Sequence, residues 1–304
     1  MRVSPAECAA VGALIEPTHW LARLRVFVEL TKPRLTALAV MSTLVGYYLS
    51  ADGAVRLDVL VATILGAWLV GGGANALNQV QERELDGLMR RTSDRPLPSG
   101  RLAPEEAACF GTVMAAVGVG FLSVRANLLT GLIALAIIAS YLFLYTPLKP
   151  RSPWSTVAGT IPGALPILMG WAASGRELTS AAWVLFAIVA LWQLPHFFAI
   201  GWMHRYDYLA AGFPIWPARD RAGHRIATAS ALLCVCLVPL SLLPARGGLA
   251  GNVYATGALV LGICWIAVAA VWAARPTIAT ARGMFRASII YLPTLMLLLV
   301  VDKP

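Results

Sequence analysis

The residues best placed to do chemistry lie between positions 78 and 100, NQVQERELDGLMRRTSDRPLPSG. That stretch puts eight charged residues into 23 positions of a chain that is only 13 % charged. If the apolar run before it, 59–77, continues as a helix, Asn78, Glu82, Asp86 and Arg90 recur every four residues and share one face. An amide and two carboxylates stacked this way, with Arg91 and Arg95 just beyond, suit a divalent metal and an anionic group together. Hard cations such as Mg²⁺ take carboxylate oxygens and leave positions for phosphate oxygens, and guanidinium forks take what remains. A diphosphate held so is a leaving group whose growing charge must be stabilised in the transition state. The spacing alone also fits a solvated helix cap or a structural cluster of ion pairs.

Two further stretches carry polar groups into apolar surroundings. In Tyr145-Thr-Pro-Leu-Lys149-Pro-Arg151 two prolines are expected to end a helix and present two cations beside a tyrosine. In Trp192-Gln193-Leu-Pro195-His196-Phe197 the proline is expected to break a helix near a glutamine and a histidine. Such groups at membrane depth are costly and usually face a cavity. The run His204-Arg205-Tyr206-Asp207-Tyr208 follows, and Asp207 is a second acidic candidate for metal or diphosphate. No Walker-type loop, HExxH or serine-nucleophile elbow is present, so hydrolase and pump readings have no support. Cys234 and Cys236, two apart, point to different faces of a helix and read as small buried hydrophobes, not as a metal or redox pair.

The elements that must position these residues are transmembrane helices. The 304 residues are 59 % hydrophobic with a mean hydropathy of +0.72, too apolar for an ordinary soluble domain. Runs of roughly 20 apolar residues suffice to cross a bilayer. They recur at 34–50, 57–80, 105–122, 127–145, 154–173, 180–203, 225–244, 251–273 and 287–301. The expectation is an all-α, polytopic bundle of about nine spans, with residues 1–30 as an N-terminal cytoplasmic segment and 31–304 as one transmembrane domain. The patch from Ala9 to Ile15, broken by Glu16 and Pro17, is a poor signal peptide, and 19–30 reads as an interfacial helix. The triple glycine Gly71-Gly72-Gly73 reads as close helix packing.

Basic residues set the orientation. The N-terminal side carries 19 Lys and Arg, including Arg275, Arg282 and Arg286 in the last connection, against Arg56, Arg125, Arg176, Arg246 and Lys303 on the other. The N-terminus is therefore expected in the cytoplasm and the C-terminus across the membrane, with the polar segments gathered at the cytoplasmic face. The net charge of +9 follows from this topology and calls for no nucleic-acid partner.

Over nearly its whole length the chain resembles the UbiA-type intramembrane prenyltransferases, and within them the protohaem IX farnesyltransferase branch. The resemblance runs through Leu30-Thr-Lys-Pro-Arg34, Asn78…Glu82…Asp86, Arg91-Thr-x-x-Arg95-Pro96 and Tyr145-Thr-x-Leu-Lys149. It continues through Trp192-Gln-x-Pro-His196-Phe197, Asp207-Tyr208 and Ser288-Ile-x-Tyr291. The acidic motif marks the superfamily; the Trp-Gln-x-Pro-His-Phe stretch with Asp207-Tyr208 points to the haem branch. This chain departs from the family in having Glu82 and Glu84 where aspartate is frequent, Pro150 between two cations, and Ser155 in the place of an asparagine.

The resemblance implies transfer of farnesyl from farnesyl diphosphate to a vinyl group of haem b, giving haem O at an inner or plasma membrane. Asn78, Glu82, Asp86 and Asp207 would hold Mg²⁺ and diphosphate, and Arg91, Arg95, Lys149 and Arg151 would neutralise the leaving group. Tyr145, Trp192 and Phe197 would face an allylic cation, Gln193 and Tyr208 would line the substrate pocket, and His196 would contact haem through its iron or its propionates. Implied protein partners are haem A synthase or terminal-oxidase assembly factors. Prenylation of an aromatic quinone precursor, or a non-catalytic haem or lipid carrier, stand as alternatives.

Overall fold

Apolar runs of this length leave the backbone one option in a bilayer, which is to satisfy its own hydrogen bonds as helices. The computed structural model describes residues 17–51, 53 and 55–304; among them there is no strand. The expectations for the Ala9 to Ile15 patch and the tail around it lie outside the described residues.

Helix α1 (Pro17–Leu30) is followed by α2 (Pro33–Ser50), α3 (Leu57–Gly87), α4 (Pro104–Arg125), α5 (Leu128–Leu148) and α6 (Ser155–Ala173). Then come α7 (Ser180–Met203), the short α8 (Arg205–Ala210) and α9 (Trp216–Arg219), α10 (His224–Arg246), α11 (Asn252–Ala274) and α12 (Ile278–Val301). Eight of these, α3 to α7 and α10 to α12, are long and apolar enough to cross a membrane. The expected first span is present as α2, but it opens on Pro33-Arg34 and carries Tyr47 and Tyr48, and it is not among the eight.

Each long helix packs on the next, from α2 round to α12, and α12 returns to α2; contacts between α2 and α6 and between α7 and α12 tie the ring across. Small residues permit this. A Cβ on Gly73 of α3 would come within 2.7 Å of the Ala115 nitrogen and 2.8 Å of the Gly111 carbonyl oxygen of α4, so the triple glycine serves helix contact. Exposed leucines and valines on the outer faces, such as Leu38, Leu65, Val113 and Leu132, are what lipid solvates. The bundle's ends are fixed by α2. Lys32 at its start bonds to Asn78, whereas Lys303 donates to the carbonyls of Tyr48 in its last turn and of Ala51 just past it, at 2.7 and 2.6 Å. The 18 residues between span about 27 Å.

Four expectations are corrected. Pro195 does not break α7, which is continuous through it; neighbouring helices make a proline tolerable in a membrane span. Pro147 does not end α5 either. A π-helical turn, Ser140–Tyr145, precedes it and widens the ring just where the proline lacks a donor, and the helix stops after Leu148, before Pro150. The last span begins at Ile278, not 287, because Thr277 and Thr280 cap each other there; Arg282 and Arg286 therefore lie on the helix. Arg90 does not extend the acidic face, because α3 stops at Gly87 and the chain turns away, leaving Arg90 exposed. Cys234 and Cys236 lie on different faces as expected, but only Cys234 is buried; Cys236 is exposed on the outer face of α10, and Cys109 and Cys264 are also free thiols.

Candidate functional site

The last three turns of α3 carry the polar ladder inside the bundle's end. Asn78, Glu82 and Asp86 are 2 %, 4 % and 1 % exposed, whereas their neighbours Arg83 and Glu84 face outward. Each rung meets a cation from elsewhere in the chain. Lys32 donates to Asn78 Oδ1 at 3.1 Å, Lys149 donates to both oxygens of Glu82 at 2.9 and 3.1 Å, and Arg95 Nη1 donates to Asp86 Oδ2 at 2.5 Å.

Local structure explains each placement. After Gly87 the chain folds back through turns, and Thr92 donates to the Asp86 carbonyl, which returns Arg95 to the rung it left. The far side of this loop is fastened by Arg101 to both oxygens of Glu29 on α1. Lys149 follows the π turn. Thr146 Oγ1 there donates to the Tyr141 carbonyl and accepts from Asn78 Nδ2, so the turn is keyed to the ladder. Lys32 has φ 46°, the one positive value at a non-glycine among the described residues; such strain is characteristic of functional sites.

Burying a lysine–glutamate pair is a poor way to stabilise a fold, since desolvation offsets most of the attraction; its retention points to use. Burial disfavours the Lys149 ammonium, but Tyr145, Glu82 and Tyr208 around it outweigh that and hold its pKa above the ordinary lysine value. For Lys32 the balance reverses. Burial, then Arg95 and Lys149, push it down to about 7 against the opposing pull of Glu82 and Asp86. Three cations, Lys32, Lys149 and Arg95, thus meet one amide and two carboxylates at the ladder.

A cavity beside Lys149 is lined by the hydroxyl side chains of Tyr145, Ser155 and Tyr208 and by the apolar Phe197, Ile200 and Ile215. Its cover is the α8–α9 segment, whose Phe213 and Ile215 pack with Met89 beyond the ladder. Lys149 Nζ lies 5.0 Å above the Phe213 ring, and Arg91 Nη2 reaches the Tyr208 hydroxyl at 3.5 Å. A second cleft holds Arg151 with Glu82 and Thr146. Asp207 is half-buried and 3.8 Å from His204 Nδ1; Asp220 is spent capping the backbone of Gly223 and Ile226. Among the described residues, no three Asp, Glu, His or Cys side chains converge as a metal cluster.

The helix α7 residues divide. Phe197 reaches the cavity. Gln193 gives Nε2 to the carbonyls of Thr160 and Val189, and its Oε1 occupies the space a Cβ on Gly163 would need, so it joins α7 to α6. Trp192 and His196 stack at 4.9 Å in the seam with α12, where Trp192 Nε1 donates to the Ser288 carbonyl. Ser288 Oγ donates to the Phe285 carbonyl at 2.6 Å and lies 2.7 Å from His196 Nδ1. The hydroxyl has one proton and it is already given, so Nδ1 is the donor and Nε2 keeps the lone pair. Lys32, Thr146 and Ser288 were not expected as site residues. Lys32 read as a topology charge, although a lysine immediately before a helix-opening proline in Thr31-Lys32-Pro33 was visible; Thr146 and Ser288 carried no signal beyond the motifs around them.

Comparison with known proteins adds three findings. Residues 39–289 match the UbiA prenyltransferase family. A protoheme IX farnesyltransferase of Solibacter usitatus is 42 % identical over 290 residues, covering 92 % of this chain and 99 % of that protein. Among solved structures, a digeranylgeranylglyceryl phosphate synthase superposes with a TM-score of 0.77 at 20 % identity, covering 92 % and 98 % of the two chains. A UbiA homolog from Archaeoglobus fulgidus bound to DMAPP and Mg²⁺ does so with 0.63 at 16 %, covering 90 % and 99 %.

Proposed function

The chain belongs to the UbiA prenyltransferase family, and from that premise we propose that it transfers farnesyl from farnesyl diphosphate to a vinyl group of haem b, giving haem O. It is an integral membrane enzyme of the prenyltransferase class. The observation that carries the reading is the buried ladder Asn78, Glu82 and Asp86, one helical turn apart and each rung facing a cation.

The ladder offers hard oxygen donors only, which fits Mg²⁺. Bound there, the metal supplies charge neutralisation for the departing diphosphate. The chain's own residues do the rest. Asn78, Glu82 and Asp86 bind, with Asp207 as a further carboxylate. Lys149 and Arg95 are released from their carboxylates and Lys32 from the Asn78 amide oxygen, and Arg91 and Arg151 turn from the surface, to donate to diphosphate oxygens. The C–O bond breaks with its electron pair going to diphosphate. Tyr145, Phe197 and Tyr208 bound the cavity in which the allylic cation forms, and its apolar side chains exclude water until transfer. The vinyl π electrons then form the new C–C bond, and water adds to the adjacent carbon and loses a proton. Trp192 and Gln193 hold α7 against α12 and α6. His196, fixed by Ser288 with its Nε2 lone pair free, suits the haem iron and not a propionate, which needs a donor.

Orientation belongs to the same proposal. With α2 taken as a ninth span, the N-terminal and C-terminal ends fall on opposite sides, and the ladder, at the Lys32 end, faces the cytoplasm by the basic-residue bias. The test is an assay of the purified protein in detergent with haem b, farnesyl diphosphate and Mg²⁺, with and without EDTA, read by mass spectrometry. The expected product is haem carrying one farnesyl plus water. Haem left unmodified while an aromatic acid becomes prenylated would assign the protein to the quinone branch.

A further inference from the structure

Ser155 opens α6 and is 1 % exposed, and its Oγ has no hydrogen-bond partner among the described residues. Buried hydroxyls are almost always paired, because leaving one unmade forfeits its hydration for nothing. This one lines the cavity beside Lys149, Tyr145 and Tyr208. One turn on, a Cβ at Gly159 would come within 2.8 Å of the Tyr145 ring, so Ser155 and Tyr145 form one wall. The polar side chains of the lining are a lysine and hydroxyls: donors and positive charge, with the Glu82 carboxylate already turned to Lys149. An orphan donor beside a cation calls for an acceptor that is anionic and carries no proton of its own. The apolar side chains of the same lining, Phe197, Ile200 and Ile215, suit the hydrocarbon attached to it.

We propose that Ser155 Oγ hydrogen-bonds an oxygen of the prenyl donor's diphosphate and positions that group against Lys149. This rests on the prenyl-transfer reading above. Replacing an asparagine common in the family by serine then shortens the side chain while keeping a donor.

The test is binding of inorganic diphosphate with Mg²⁺ to the purified full chain in detergent, by calorimetry and by thermal shift, for wild type, Ser155→Ala and Ser155→Thr. Expected is a loss of diphosphate affinity of about tenfold or more in S155A, as for a hydrogen bond to a charged group, and a raised KM for farnesyl diphosphate. S155T recovers most of both. The ligand-free melting temperature of S155A stays level or rises, because the deleted hydroxyl had no partner to lose. Haem b binding, followed by absorption, is unchanged. Wild-type diphosphate affinity in S155A would overturn the proposal, as would a loss falling on haem b instead, or a drop in ligand-free stability that S155T fails to restore. A wild-type protein that binds no diphosphate at all would sink the prenyl-transfer reading along with this inference. Binding by wild type with no effect in S155A removes the inference alone.

Discussion

Lys149 and Glu82, 67 residues apart in the chain, meet through both carboxylate oxygens with only 14 % and 5 % of their side chains exposed. Under the proposed function, each of these side chains stands in for one of the charges that diphosphate and Mg²⁺ would bring.

Breaking that pair from one side strands a buried charge. Lys149→Met is expected to lower stability by about 3–5 kcal/mol, and the double variant Glu82→Gln/Lys149→Met to regain most of it while remaining inactive. A double-mutant cycle on thermal denaturation in detergent measures this. A double variant no more stable than the single one would mean that the lysine acts through packing.

Asp86→Asn keeps the shape of the rung that Arg95 holds and removes its charge. Prenyl transfer is expected to fall by roughly 10²–10³, the range for losing one preorganised electrostatic contact, while the protein still inserts and binds haem b. Prenyl transfer within a few-fold of wild type would remove Asp86 from the diphosphate-binding machinery, and haem binding with no transfer in the wild type itself would favour the carrier alternative.

Mg²⁺ and diphosphate are expected to stabilise the protein jointly, by about 2.7 kcal/mol at a hundredfold excess over Kd, and each weakly alone. Melting curves with the four combinations decide it. EDTA should return the curve to its ligand-free position and abolish product formation together.

His196→Ala is expected to abolish the haem spectrum of an imidazole-ligated iron. Ser288→Ala should preserve ligation while shifting it, since Nδ1 loses the acceptor that fixes the ring. An unchanged iron spectrum in H196A would place haem contact elsewhere.

Gly170 lies where α6 crosses α2, and a Cβ there would strike the Thr43 carbonyl, a backbone atom that cannot rotate aside. Gly170→Ala should cost about 1–3 kcal/mol by overpacking, read as a lower melting temperature. Gly120→Ala, with open space around it, serves as the neutral control.

Much of the molecule was legible in the chain because the relevant signals are local. Apolar runs of spanning length follow from composition alone, and nearly every helix came out within a few residues of its run. The exceptions were ends in polar sequence, which hydropathy does not register: the Thr277–Thr280 cap starts the last helix nine residues before its apolar run, and α3 continues to Gly87, seven residues past the expected 80. The Asn78–Glu82–Asp86 ladder was legible for the same reason, since a four-residue repeat on one helix fixes its face before anything packs against it. Arg90 failed because the repeat outlasts the helix.

What the sequence by itself determined, then, was a membrane-embedded helical bundle with a carboxylate ladder at the end of one span. Tertiary structure alone decided which partners the ladder and His196 meet. Lys32 arrives from 46 residues before Asn78, Lys149 from 67 after Glu82, and Ser288 from 92 after His196. It likewise decided that Gln193 joins two helices and that Ser155 is left with an unspent proton in a cavity wall. A helix dictates its own faces through bonds four residues apart, but the partner that each face meets depends on how separate helices pack. That packing is set by many small residues and contacts spread along the whole chain, none of which names its partner in the sequence.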